Sequence, residues 1–164
     1  MPLQQPSSVV FRAATEQDIP LLHSLIFQLA VYEKRPEEMT ATTEDLYRCL
    51  FLQKAAIAVI MEYNGNAVGY SVFFSVFSTF KSRLSFYIED IFILPNFRGL
   101  GLGTALFKHV AAYACSQNAH SLKWSCLNWN QPGIDFYESL GAVQENGSIH
   151  FRLSEDTLCK FSAD

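Results

Sequence analysis

Apolar side chains recur along this chain in two rhythms, one of every third or fourth residue and one of every second, and the switches between them mark its elements. Val9 to Arg12 makes a short strand. Thr15-Glu-Gln-Asp18 then reads as a capping box ahead of Ile19, Leu22, Ile26 and Leu29, whose spacing predicts a first helix. It should fade near Lys34-Arg35-Pro36, because the residue before a proline avoids the helical region. A second amphipathic helix is expected from about Thr43 to Leu52. The run Ala55 to Met61 is wholly apolar, Asn64-Gly65 follows, and Val68, Tyr70, Val72, Phe74 and Val76 then alternate with their neighbours. Together these predict a β-hairpin with those five side chains on one face.

Leu84 to Leu94 reads as a further strand, and Gly101 to Gln117 as a helix with Leu102, Ala105, Leu106, Val110 and Tyr113 inward. A strand from Leu122 to Leu127 comes next. Asn130 to Leu140 has Pro132 in its first turn and Gly141 just past its end, the usual start and stop of a short helix. Two short strands, near Ala142 and near His150, are expected to close the chain. Hairpins with interspersed helices predict a mixed sheet covered by helices.

Composition supports one filled core. The chain has 164 residues, 49% of them hydrophobic, with 14 Phe, 7 Tyr and 2 Trp, which suits a single domain from residue 9 to 164 behind a loose tail, residues 1–8. Twelve Lys and Arg against sixteen Asp and Glu leave a net charge of -4. That balance argues against a nucleic-acid partner and suits a cationic small molecule drawn to an acidic cleft. The apolar run Ala55 to Met61 falls far short of the roughly 20 residues of a membrane span. The opening MPLQQPSS lacks the charged and apolar regions of a signal peptide, so a cytoplasmic location is expected. Cys49, Cys115, Cys126 and Cys159 have no paired spacing and form no ligand set with the histidines, so neither disulfides nor a metal are expected.

Candidate chemistry gathers in two places. Arg98-Gly-Leu-Gly101-Leu-Gly103-Thr104 follows a strand and opens a helix, an arrangement suited to an anion. Glycines let main chain approach a ligand, unpaired N–H groups at the helix start favour phosphate, and Arg98 would add a charge-assisted contact. A P-loop would need Gly-Lys-Ser/Thr, which is absent, and a dinucleotide fold would carry its glycine loop in an early βαβ unit. A coenzyme A pyrophosphate site shares the same logic. In the preceding strand, Glu89 and Asp90 interrupt an apolar run. Alternation puts Glu89 on one face with Tyr87, Ile91 and Ile93 and Asp90 on the other unless a bulge intervenes. Glu89 is the better candidate to take a proton from an amine.

With these residues in hand, the sequence resembles the GNAT superfamily of acetyl-CoA-dependent N-acetyltransferases, whose Arg-x-x-Gly-x-Gly signature matches Arg98, Gly101 and Gly103. Phe27 to Glu33, Tyr87-Ile-Glu89-Asp90, and Trp129-Asn130 through Phe136-Tyr137 look like its spermidine/spermine (diamine) and thialysine acetyltransferase branch. The resemblance implies an α/β (α+β) GNAT fold, with a mixed, mostly antiparallel sheet of six to seven strands flanked by about four helices. It also implies acetyl-CoA as cosubstrate and a homodimer. Carried over residue by residue, Ile91, Phe92 and Ile93 present backbone to the pantetheine and acetyl carbonyl, and Arg98 with Gly99, Leu100, Gly101, Leu102, Gly103 and Thr104 holds the pyrophosphate. Asn130, Gly133 and Tyr137 contact coenzyme A. Tyr137 is the acid that protonates the departing thiolate, Glu89 binds or deprotonates the amine, and Tyr32, Glu33 and Trp124 line the amine site.

One departure bears on substrate. Where polyamine-acetylating members carry an acidic, Trp-containing loop, this chain has Ser78-Thr-Phe-Lys81-Ser-Arg83. The expectation is therefore a primary amine shorter than a long polycation, including one that bears a carboxylate paired by Lys81 or Arg83. The other readings are a protein N-terminal or lysine acetyltransferase, and a non-catalytic acetyl-CoA-binding module. Glu89 and Tyr137 together argue against the last.

Overall fold

The computed structural model describes residues 8–162. They fall into two compact units, the first ending at Ser125 and the second beginning at Cys126. The expected loose tail, residues 1–8, lies outside the described residues except for Ser8.

The first unit holds one sheet of five strands in chain order: β1 (Val9–Ala13), β2 (Ile57–Tyr63), β3 (Asn66–Ser78), β4 (Arg83–Ile93) and β5 (Leu122–Trp124). Neighbours are antiparallel except β4 and β5, which run parallel. Helices α1 (Ile19–Tyr32), α2 (Thr43–Tyr47) and α3 (Leu102–Ser116) connect them. Helix α1 starts where the sequence places it, behind a Thr15–Asp18 capping box. Arg12 fastens that start to the sheet, its guanidinium 2.7 Å from both Asp18 and Glu62. Lys34, at φ 61°, turns the chain out of α1. Helix α2 opens on Thr42, capped reciprocally by Asp45, and widens into a π-type turn over Arg48–Leu52.

Apolar clusters fill both faces of the sheet. Helix α3 buries Leu102, Leu106, Val110 and Ala114 against Val59, Met61, Phe73, Phe86 and Ile88, a stripe at four-residue spacing. On the other face α1 buries Leu22 and Leu25 against Ile60, Tyr70, Val72 and Phe92.

Two β-bulges correct the face assignments expected from alternation. On β3, Gly69 pairs with Met61 and Ala67 with Glu62, which leaves Val68 as an extra residue. Val68 therefore packs in the α3 cluster while Tyr70 and Val72 pack in the α1 cluster, so the five alternating residues do not share one face. On β4, Asp90 pairs with Val72 and Ile88 with Phe73, which leaves Glu89 unopposed. An inserted residue reverses the side on which every later side chain emerges. Ile88 accordingly faces α3, whereas Phe92 faces α1.

The second unit contains α4 (Gln131–Ser139) and α5 (Glu155–Ser162) and, among the described residues, no strand. The strands expected near Ala142 and His150 are not formed, and five strands rather than six or seven build the sheet. A strand needs a ladder partner and a buried face, and a lone hairpin is marginal in water. Val143, Ile149 and Phe151 stand exposed instead.

β3 and β4 approach closely at Gly69, opposite Ile93: a Cβ added there would lie 2.5 Å from Ile93 Cδ1 and 2.6 Å from the Phe92 carbonyl oxygen. Gly69→Ala is expected to cost about 1 to 3 kcal/mol by forcing the strands apart. Urea denaturation checks this, and an unchanged midpoint would contradict it.

Candidate functional site

The bulge at Glu89 opens onto a cleft of about 440 Å³ between α1, the α1–α2 connection, α2 and the sheet. Ile26 and Leu29, two of the apolar positions at helical spacing on α1, form part of its apolar wall. Its charged lining is Glu33, Arg35, Glu38, Glu89 and Asp90. The structure thus brings together Glu33 and Glu89 from the sequence-derived set and adds Asp90, which alternation puts on the opposite face unless a bulge intervenes, as one does here.

Asp90 is the deeper of these acids. The hydroxyl of Tyr70, a fully buried residue, donates to Asp90 Oδ2 at 3.0 Å, and the Ser71 hydroxyl donates to the Asp90 carbonyl at 2.8 Å. Burial pushes the Asp90 carboxyl up to about 6, and the charges of Glu89 and Glu33 push the same way against the Tyr70 hydrogen bond. The same burial, with the Asp90 charge, holds the Tyr70 phenol far above its ordinary value, so it stays a donor. Arg35 carries two carboxylate partners, Glu33 and, at 3.5 Å, Glu38.

Beyond Ile88 the sheet parts. β5 pairs with β4 only over Phe86–Ile88, while β4 continues to Ile93. The Leu94 amide donates to the Val68 carbonyl on the β3 side. By alternation the amides of Ile91 and Ile93 point to the edge that β5 has left. The glycine loop follows directly. Gly99 and Gly101 have φ of 77° and 75°, a region that favours glycine, and nothing lies within 4 Å of where a Cβ would stand at either. Gly101 caps α3, whose first turn contains Leu102, Gly103 and Thr104, and a helix start leaves its N–H groups without intrahelical partners. Bare main chain facing open space at a helix start fits a diphosphate. Leu100 is exposed beside it.

Arg98, at the start of this loop, is held by protein groups. Its Nε donates to the Ile93 carbonyl at 3.0 Å, and its guanidinium lies 4.4 Å from the ring centre of Tyr32 and 5.4 Å from that of Phe92. It joins the end of α1 to the end of β4. Trp124 is not brought to the cleft: it packs edge-on against Phe107 of α3, on the other face of the sheet. Arg83 is fastened to Asn118 by three hydrogen bonds. It lies six residues before Glu89, roughly 20 Å away along β4, which removes it as a partner for an anion in the cleft.

In the second unit, the Asn130 side chain caps α4 by accepting from the Gly133 amide at 3.2 Å. Gly133 fits closely there, since a Cβ would lie 2.6 Å from Asn130 Nδ2. Tyr137 stands in the last turns of α4 beside Phe136, ring centres 5.2 Å apart. Among the described residues, no cluster of three His, Cys, Asp or Glu could hold a metal, and no helix is long and apolar enough to cross a membrane.

Comparison with known proteins shows the family and the fold. Residues 22–142 match the acetyltransferase (GNAT) family. The chain is 33% identical to the thialysine N-epsilon-acetyltransferase of Bos taurus, over 82% of this chain and 84% of that protein. It is 27% identical to the L-ornithine N5-acetyltransferase of Arabidopsis thaliana, over 93% and 84%. Among solved structures, an integron cassette protein from the mobile metagenome of V. cholerae superposes with a TM-score of 0.79 at 23% identity, covering 96% of this chain and 99% of that one, and shows the same fold.

The buried carboxyl sets a pH dependence of stability. A rise from 3.8 to about 6 makes folding cost on the order of 3 kcal/mol once Asp90 ionises. The group is neutral in both states below 3.8, so stability falls as pH rises from there to about 6. Asp90→Asn keeps the acceptor for Tyr70 and removes the charge. It is expected to gain roughly 2 to 3 kcal/mol over the native chain at pH 8 relative to pH 4 in urea denaturation. An equal difference at both pH values would contradict the burial of this charge.

Proposed function

The chain belongs to the GNAT family of acetyltransferases, and from that membership we propose that it transfers an acetyl group from acetyl-CoA to a primary amine of a small molecule by direct attack. The observation that carries this reading is the bulge that sets Glu89 and Asp90 together in one acidic cleft. Such a cleft collects a cationic amine. The relatives named for thialysine and ornithine support an amine of amino-acid size.

Acetyl-CoA, when bound, supplies the acetyl group as an activated thioester. Gly99 to Thr104 would hold its diphosphate through main-chain N–H groups, and the Ile91 and Ile93 amides face the edge where they can donate to the acetyl carbonyl oxygen. Glu89 and Glu33 attract the substrate ammonium, and desolvation in the cleft favours its neutral form. Asp90, ionised above about pH 6, accepts the proton directly or through water. Tyr137 gives a proton to the departing thiolate, a role supported by the matched Trp129-Asn130 to Phe136-Tyr137 motif. Asn130 and Gly133 belong to the same motif as coenzyme A contacts. The family resemblance also supports a homodimer.

A thiol-release assay over a panel of primary amines tests the reading. Turnover with short amines and amino-acid amines is expected; affinity for acetyl-CoA without turnover of any amine would overturn it. With an accepted amine, kcat/KM should rise through about pH 6 as Asp90 loses its proton, and Asp90→Asn should abolish that limb. Tyr137→Phe should lower kcat by roughly a hundredfold with little change in the KM for acetyl-CoA, and unchanged kcat would reject the acid role.

A further inference from the structure

Arg98 opens the glycine loop, yet its guanidinium reaches back rather than forward. The rings it lies against, Tyr32 at 4.4 Å and Phe92 at 5.4 Å, belong to the apolar cluster on the α1 side of the sheet. Helix α3, whose start follows the loop, packs on the other side through Leu102 and Leu106. The Nε of Arg98 donates to the Ile93 carbonyl at 3.0 Å. In an antiparallel strand the N–H and C=O of one residue point the same way, so that carbonyl stands on the edge that β5 has left, beside the Ile93 amide. An acetyl carbonyl oxygen brought to this edge is attracted by the amides and repelled by an uncovered carbonyl, which itself needs a donor. Arg98 supplies that donor.

We propose that Arg98 is a positioning residue for acetyl transfer rather than a ligand of the diphosphate: it ties the Ile93 carbonyl on the open edge of β4 to Tyr32 at the end of α1, and so holds the thioester site in register with the amine cleft. The inference rests on the acetyltransferase reading and adds a residue to it. Tyr32 ends α1, and Glu33, which follows it, lines the cleft. A guanidinium makes both contacts at once, donating from Nε in its plane while its face lies on a ring; a lysine ammonium has neither the plane nor the fork. The contacts matter because the edge amides act on one reactant and the cleft holds the other. A shift of about 1 Å between them costs on the order of a hundredfold in rate, even when the substitution lies away from the reacting atoms.

Arg98→Gln and Arg98→Lys separate the two roles, because a diphosphate contact needs a positive charge whereas the positioning role needs the planar, stacked fork. Two quantities are measured: the Kd for CoA by titration calorimetry without amine, and kcat with acetyl-CoA and the best-accepted primary amine. The Kd should stay within about threefold of the native value in both variants, while kcat falls roughly tenfold to a hundredfold in both. S-acetylpantetheine, which lacks the diphosphate, should lose rate by the same factor as acetyl-CoA. Tyr32→Leu should reproduce part of the fall and add little to Arg98→Gln, as expected of residues that act through one contact. Thermal unfolding of each variant checks that it folds, as expected for Arg98, an exposed residue. A Kd for CoA weakened beyond that limit in Arg98→Gln, or a kcat that either substitution leaves at the native value, would overturn the positioning role and leave the acetyltransferase reading standing. A native enzyme that binds CoA but turns over no primary amine would overturn that reading itself, and this role with it.

Discussion

One extra residue in one strand determines what the cleft can do. Without the bulge at Glu89, Asp90 would emerge on the α3 face among Phe86, Ile88 and Met61, where an unpaired carboxylate could not be tolerated. With it, the strand resets: Ile88 packs on α3 and Phe92 on α1, and Glu89 and Asp90 both line the cleft. Tyr70 provides the partner that makes the position of Asp90 bearable, and its own burial keeps it protonated for that purpose. The cost in stability is local and of the size of one displaced pKa. Its return is a carboxylate whose pKa lies near the operating range of a proton acceptor.

The same strand serves the other half of the chemistry. Just past the bulge it loses β5 on one edge, so the amides of Ile91 and Ile93 are presented there, and it then runs into the glycine loop that starts α3. Arg98 connects the two halves, holding the Ile93 carbonyl while lying across Tyr32 at the end of α1. A single stretch from Glu89 to Thr104 therefore carries the acids, the edge amides and the glycine loop proposed to hold the diphosphate. Rigidity along one strand and one helix start suits a reaction in which holding two reactants in register supplies much of the rate.

Periodicity made most elements legible. The capping box at Thr15, the Asn64-Gly65 hairpin and the glycine-headed helix all lie where local residue chemistry places them, because each depends on neighbours within a few residues. What stayed hidden depends on distant partners. A bulge is a mismatch between two strands and leaves no mark on either alone, so alternation puts Val68 on the wrong face and leaves the face of Asp90 open. Arg98 meets a tyrosine 66 positions earlier, and Trp124 a phenylalanine on a helix, contacts that no motif announces. The strands expected near Ala142 and near His150 likewise depend on a neighbouring strand that would bury Val143, Ile149 and Phe151, and the local sequence does not supply one.

The shared face of Glu89 and Asp90 is open to direct measurement by carbon NMR of the side-chain carboxyls across pH, in the native chain and in Glu89→Gln. Two carboxylates in one cleft repel, so removing the Glu89 charge should move the Asp90 midpoint down from about 6. An Asp90 midpoint that Glu89→Gln leaves in place, as for two acids separated by the sheet, would contradict the account.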